Sequence, residues 1–510
     1  MSSSTHPRSV QSYLDETPRW SDGTQATSAA LSGHQMRIWW LACAGKFFEG
    51  VVVFMGGIAI PLLTLDWSIT AFQKGLVGAA PLFGILIGAT FLGGLDDKFG
   101  RRPMFIFELF LFSLFTLFVA LSPNIWVFIL CLFVVGAALG CDYPTANVII
   151  SETMPSRIRG KMVLGAFAFQ AVGAFAGTVL GYLFLSQNPD ASVWRWMYGL
   201  LVPVGFLLAA LRFSVSETPH FLAARGRMKE AAASLHKLLP HLAGVVTEDN
   251  IKKPKKHKHA KKASYGDLFK KKNRRATILA SVPWFLQDLG TYGIGIFTPT
   301  ILATIIGQKS GQHNLAAVIH DDILSAKGAA ALDVLLIVGM LAAIFLVERA
   351  GRIRLQTLGF LGCALGLLLA ALSVKPDGST NLTLLFAGFM LFNFMTNLGP
   401  NAQTYLIAGE VFPTKIRGRG AGFAASFAKI GAVTTAFLFP ILLKDIGTVN
   451  LLSILVGTSI LGAAITVFNG IETKGRSLET LDEEEIPLPG AASGLEPGPA
   501  LAATREPAGG

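Results

Sequence analysis

The chain has 510 residues, 52% of them hydrophobic and only 15% charged, with a mean hydropathy of +0.53. Soluble domains carry about 25% charged residues, so an ordinary soluble enzyme or binding module is excluded. The formal net charge of +11 would suit a nucleic-acid partner, but the excess is concentrated in residues 252–275, and a basic segment between apolar spans marks the cytoplasmic side of a membrane instead.

Residues 1–35 are polar and Ser/Thr-rich, without the apolar core and cleavage site of a signal peptide, and are expected to form a disordered cytoplasmic tail. About 12 stretches long enough to cross ~30 Å of hydrocarbon follow. They lie near 38–65, 75–95, 104–121, 125–150, 162–185, 197–215, 278–305, 330–347, 355–372, 382–407, 421–443 and 451–468. The chain therefore reads as an all-α membrane protein. Its N-terminal half is 36–215, its basic cytoplasmic central loop 216–275, its C-terminal half 276–470 and its cytoplasmic tail 471–510. An even number of spans around a cytoplasmic loop puts both termini in the cytoplasm. Cys43, Cys131, Cys141 and Cys363 all fall in spans, where thiols behave as small hydrophobes, and neither a disulfide framework nor metal-ligand spacing is present.

Taken in order, the spans contain polar groups that are costly in hydrocarbon and mark a substrate or proton path by default. The first and third contain the acids Glu49 and Glu108. After the second, residues 93–102 place Asp97, Arg101 and Arg102 around a glycine turn. The fourth contains Asp142-Tyr143-Pro144, where proline loosens the helix, and closes on Glu152 and Arg159. Gln170 lies midway along the fifth. In the seventh, Trp284, Asp288 and Tyr292 are spaced i, i+4, i+8 along one helix face and offer an indole N–H, a carboxylate and a phenol. Pro283, Gly290, Gly293 and Gly295 are expected to kink or break that helix. After the eighth come Glu348 and Arg352, an echo of the turn after the second. The tenth carries the run from Asn397 to Asn401, opened by Gly399-Pro400, and then Glu410 and Arg417. Lys429 lies too deep in the eleventh to snorkel, which points to an anion. The charged turns are expected to act as latches that hold helix ends together in one conformation and release them in another.

The turns recur in register. Gly93 to Arg102 is echoed by Glu348 to Arg352, and Glu152-Thr153-Met154-Pro155-Ser156-Arg157-Ile158-Arg159-Gly160 by Glu410-Val411-Phe412-Pro413-Thr414-Lys415-Ile416-Arg417-Gly418. This arrangement resembles the major facilitator superfamily, whose sugar-porter-like branch closes each half with runs similar to those from Glu217 and from Glu472. The resemblance implies a bundle of twelve helices in two six-helix pseudo-repeats.

A narrower resemblance is to the phosphate:proton symporters. It is carried by Asp142-Tyr143-Pro144, by Trp284, Asp288 and Tyr292, by Gly399-Pro400-Asn401 and by Ala428-Lys429-Ile430-Gly431-Ala432. It implies phosphate contacts from Tyr143, Gln170, Trp284, Asp288, Tyr292, Asn401 and Lys429, and a proton path through Asp142; as acids within the membrane, Glu49, Glu108 and Asp288 are further proton-relay candidates. The first helix departs from that family: Phe47-Phe48-Glu49-Gly50-Val51-Val52-Val53-Phe54 keeps one acid and lacks the Tyr-Asp pair, and Thr145-Ala146-Asn147 follows Pro144. An organic acid stays open as substrate.

The expected function is proton-coupled import of inorganic phosphate, by a monomer whose partners are the anion, protons and membrane lipids. The alternatives are a proton symporter of a sugar or organic acid and, more remotely, a sensor on the same fold with the basic loop as its output. No nucleophile–base set or phosphate-cradling loop points to an enzyme, and no cofactor, metal or nucleic acid is expected.

Overall fold

The computed structural model describes residues 7–16, 31–92, 95–242, 246–252, 264–310, 315–375, 379–413 and 416–474, with the backbone alone at 143, 303–310 and 315–318. The first six long helices are Gly33–Trp67, Ala71–Ile87 continued to Leu92, Arg101–Ala120, Ile125–Thr153, Ser156–Gln187 and Trp194–Arg212. The seventh to tenth are Lys271–Ser310, Leu315–Ala350, Arg352–Leu372 and Leu382–Leu398 continued by Pro400–Glu410. The run Arg417–Asn469 leaves helical geometry at Gly447 (φ 77°) and supplies the eleventh and twelfth. Large apolar side chains such as Phe91, Phe107, Leu130, Leu207, Phe345 and Phe468 point outward, as lipid contact requires.

Local chemistry sets the helix starts. Ser32 with Gln35 and Thr70 with Gln73 form capping boxes at the first and second helices, and Asn124 and Asn381 accept backbone N–H bonds at the fourth and tenth, satisfying donors that have no partner within their own helix. Gly100 and Gly351 precede the third and ninth helices with φ of 107° and 90°, a region in which a Cβ would be strained.

Packing brings the site together. A Cβ at Gly50 would lie 2.1 Å from the Gln170 carbonyl oxygen, and one at Gly173 2.0 Å from that of Phe47. The first and fifth helices thus cross with backbones in contact, as small residues allow in membrane bundles, and Glu49 meets Gln170. The halves join through the first and seventh helices, the second and eleventh, and the fifth and eighth. Gly57 lies under the Ile296 carbonyl, and the Phe167 ring stacks on Tyr405 with centroids 4.6 Å apart.

Two helices differ from the sequence reading. The seventh helix is continuous through Pro283 and Pro299: proline removes one N–H from the ladder, and packing of the long helix outweighs it. Only Gly399 (φ −107°, ψ −98°) breaks a helix as expected. The eighth helix starts at Leu315, well before residue 330, because Asp321, Asp322 and Ser325 on its early turns face inward and are buried.

Residues of the expected N-terminal tail also have structure: Val10–Leu14 is helical, Arg8 pairs with the backbone of Asn250 and Lys252, and Asp15 accepts from the Ser156 N–H. The central segment folds into Pro219–Ala224 and Met228–Leu238 with shorter turns. Residues 253–263 of the basic loop and 475–510 of the C-terminal tail lie outside the described residues.

Candidate functional site

At the centre of the bundle, Tyr292 is a hydrogen-bond hub. Its hydroxyl accepts from Lys429 Nζ at 2.5 Å and from Gln170 Nε2 at 3.1 Å, and it donates to Glu49 Oε1 at 3.4 Å. Gln170 also donates to Glu49 at 3.2 Å. Lys429 Nζ is 3.7 Å from both Glu49 Oε1 and Asp288 Oδ2, and Lys46 Nζ is 2.5 Å from Glu49 Oε2. Two ammonium and two carboxylate groups thus compensate one another where a lone charge would be prohibitive. Glu49, Asp288 and Tyr292 are buried, and Asp288 Oδ2 has no hydrogen-bond partner.

Gln170, Tyr292 and Asn401 line a cavity of about 20 Å³ with Phe54, Phe167, Leu336, Met340 and Asn397, room for about one water. Asn401 donates to Asn397 at 2.6 Å, and Asn397 donates to the Leu336 carbonyl at 2.7 Å.

A second cluster lies wholly in the first six helices. Arg212, completely buried, pairs with Asp142 Oδ1 at 2.7 Å and Glu108 Oε1 at 3.3 Å, and donates to the carbonyls of Phe105 and Leu41. Its guanidinium lies 3.5 Å from the centroid of the Phe105 ring. Two carboxylates share one guanidinium, and Glu108 Oε2 has no hydrogen-bond partner. A Cβ on Gly45 would fall 1.6 Å from Asp142 Oδ2, so glycine at 45 is what admits this carboxylate. Lys46 lies within electrostatic reach of Asp142 and Lys429, which links the two clusters.

Of the residues expected to contact substrate, Gln170, Asp288, Tyr292 and Lys429 come together and Asn401 joins them at the cavity wall. Trp284 instead sets its ring edge-on to Tyr405 at 6.2 Å, in an apolar cluster with Ile407, Phe412 and Ala428. The side chain of Tyr143 lies outside the described residues. Of the expected proton carriers, Glu49 and Asp288 belong to the central cluster, Asp142 and Glu108 to the Arg212 cluster.

The charged turns are near-copies. In the first half Arg101 pairs with Glu152 at 3.3 Å and Asp97 at 2.8 Å, Thr218 donates to Glu152, and Glu217 accepts from the N–H groups of Arg101 and Arg102. In the second, Arg352 pairs with Glu410 at 3.2 Å and Glu348 at 2.8 Å, Thr473 donates to Glu410, and Glu472 accepts from the N–H groups of Arg352 and Ile353. Gly100 and Gly351 leave the space that these capping carboxylates occupy. Burial raises the Glu217 carboxyl above its ordinary value against the lowering effect of the N–H groups it accepts from.

Three expected latch arginines are placed differently. Arg102 donates to the Phe213 carbonyl, Arg159 to Gln11 and Arg417 to the Phe412 carbonyl. Arg101 and Thr218 already occupy the Glu152 carboxylate, as Arg352 and Thr473 occupy Glu410. The sequence reading missed Lys46, Arg212 and the capping role of Glu217 and Glu472; the signal available for the last pair was their recurrence at the close of each half.

Residues 16–484 match the sugar (and other) transporter family. The inner membrane metabolite transport protein YgcS of Escherichia coli (strain K12) is 32% identical over 452 residues, which cover 88% of this chain and 94% of that protein. A putative inorganic phosphate transporter of Schizosaccharomyces pombe is 28% identical over 524 residues, covering 89% of each. Among solved structures, the xylose transporter XylE from E. coli in an inward open conformation matches with a TM-score of 0.70 at 18% identity, over 88% of this chain and 99% of that one.

Proposed function

This chain belongs to the sugar (and other) transporter family, a multi-pass membrane transporter with the major facilitator fold, and we propose that it couples inward movement of a small anion to protons by alternating access, with inorganic phosphate as the favoured anion. The observation that carries this reading is the position of Lys429 between Glu49 of one half and Asp288 of the other, 3.7 Å from each. With both acids ionised, the two lysines are compensated and an anion gains little. Protonating one acid leaves positive charge uncompensated in a water-poor space, where charge-assisted bonds are strong. Proton and anion then bind together, and each favours the other by the same factor.

Gln170, Tyr292 and Asn401 supply the neutral hydrogen bonds around the anion. The shared guanidinium of Arg212 makes the Asp142–Glu108 pair a store for the proton, with Lys46 as its link to the centre. The charged face, with both termini, lies in the cytoplasm, and the protein resides in the cell membrane.

A second reading, an organic acid as the anion, is favoured by the walls of the cavity: Phe54, Phe167, Leu336 and Met340 suit an apolar body better than a fourth phosphate oxygen. The test is uptake of labelled phosphate into proteoliposomes under an imposed pH gradient, with arsenate, sugars and carboxylates as competitors. Gradient-driven accumulation blocked by arsenate supports phosphate; accumulation of a carboxylate alone supports the second reading; a sugar carried without either sinks both.

A further inference from the structure

Asp333, in the middle of the eighth helix, is buried and belongs to no ion pair among the described residues. It faces Thr178 of the fifth helix, with Asp333 Oδ2 2.7 Å from Thr178 Oγ1. The same hydroxyl oxygen is 3.0 Å from the Ala174 carbonyl oxygen one turn back in its own helix.

A threonine hydroxyl has one proton and two lone pairs. If Asp333 were ionised, that proton could serve the carboxylate or the carbonyl but not both, and the other contact would set lone pair against lone pair. With Asp333 neutral, its O–H donates to Thr178, Thr178 donates to Ala174, and both contacts become hydrogen bonds. A carboxylate without a cation is also the costly form in this setting.

Among the described residues the surroundings supply no alternative partner. On the fifth helix, the titratable group nearest this level is Tyr182, and the first part of the tenth helix, Leu382–Leu398, contains none; its Asn393 and Asn397 donate to the carbonyls of Leu332 and Leu336. The seventh contributes Asp288 and Tyr292, engaged at the centre, and Lys309, whose side chain lies outside the described residues. The first contributes Lys46 and Glu49, paired with each other, and Asp66, which accepts from Trp194. The ninth has Arg352 and Arg354 at the charged face and the buried Cys363. On the eighth itself, Asp321 and Asp322 lie about three turns away, and Lys327 is exposed.

We propose that Asp333 and Thr178 form a proton-operated latch between the two halves on the side away from the charged turns: the neutral carboxyl holds the fifth and eighth helices together, and ionisation accompanies their separation. These helices belong to opposite halves, so the bond must break whenever that side opens. The inference rests on alternating access and not on which anion is carried.

The test uses full-length protein in lipid nanodiscs without substrate, spin-labelled at the exposed positions Ser186→Cys and Lys327→Cys, with the distance between labels read by pulsed electron resonance. In the otherwise unaltered chain, the separated population should grow from acid to alkaline pH. Asp333→Asn, whose amide donates to Thr178 at every pH, should lose that growth and stay closed. Thr178→Val, which keeps the acid and removes its acceptor, should be separated already at acid pH, and it serves as the test if Asp333→Asn does not fold. Growth in Asp333→Asn equal to that of the unaltered chain, or a Thr178→Val profile unchanged from it, overturns the latch. A distance that ignores pH but still moves when phosphate is added overturns the latch and leaves alternating access standing.

Discussion

Two groups of buried charge occupy this bundle, and they differ in how the pseudo-repeat divides them. Glu108, Asp142 and Arg212 all belong to the first six helices, so a rocking of one half against the other leaves their contacts intact. Glu49 and Gln170 come from that same half, but the residues they meet across the centre, Tyr292 and Lys429, come from the other. Any opening of the centre has to stretch those contacts, and whatever binds there biases the opening. Asp142 and Glu49 look equivalent as acids in apolar spans, yet one pairs within its own half and the other reaches across to Lys429 and Tyr292.

The largest expected effect breaks the first group. Arg212→Met removes the one cation that two buried carboxylates share, and losing one partner of a buried pair costs about 3–5 kcal/mol. The thermal midpoint of the purified protein should fall steeply, and adding Glu108→Gln should recover part of the loss. A midpoint unchanged in Arg212→Met would show that the cluster carries no structural role.

Next is Lys429→Ala, expected to cost anion binding on the order of 2–5 kcal/mol; Lys46 still compensates Glu49 and Asp288 can take up a proton in place of its cation, so the midpoint should fall less than in Arg212→Met. Calorimetric titration with phosphate reads the first and thermal unfolding the second. Unaltered phosphate affinity would move the anion site away from Lys429.

The contrast between the groups was only partly legible in the sequence. The spans and paired turns were, because apolar length and recurring charge–glycine patterns are local properties. Asp288 and Tyr292 were placed correctly on one face, but positions i and i+8 of a helix diverge by about 80°, enough for Trp284 to meet Tyr405 instead of Lys429. Arg212 stands in the last turn of its helix, where an arginine reads as an interfacial anchor, and only the fold turns it inward over Phe105. Lys46 precedes Glu49 by three residues and reads as a local pair; that Asp142 and Lys429 lie within its electrostatic reach depends on how the fourth and eleventh helices pack around the first. The caps from Glu217 and Glu472 span more than a hundred residues of chain, beyond any local pattern.

A smaller effect separates the two acids. Asp142→Asn mimics a permanently protonated store, so pH-driven accumulation should be lost while counterflow exchange, which needs no net proton release, persists in part. Asp288→Asn should impair both, because Lys429 and the substrate share that carboxylate. Exchange and accumulation measured in the same vesicles decide it; full accumulation by Asp142→Asn would shift the proton path to Glu49 or Glu108.

The smallest effect tests whether the turns of the two halves, so alike in geometry, are alike in energy. Glu217→Gln and Glu472→Gln each keep one acceptor for the N–H groups at a helix start and lose the charge, a change on the order of 1 kcal/mol. Glu217 adds a pH dependence. Burial raises its carboxyl above the ordinary value, so the folded state binds that proton more tightly than the unfolded chain does. Its stabilising contribution is therefore full below the unfolded value and declines as pH rises through the raised range. The glutamine variant has no group to titrate there. The difference in thermal midpoint between the unaltered chain and Glu217→Gln should accordingly shift in favour of the variant as pH increases, and a difference that moved the opposite way would mean that the accepted N–H bonds outweigh burial at this cap.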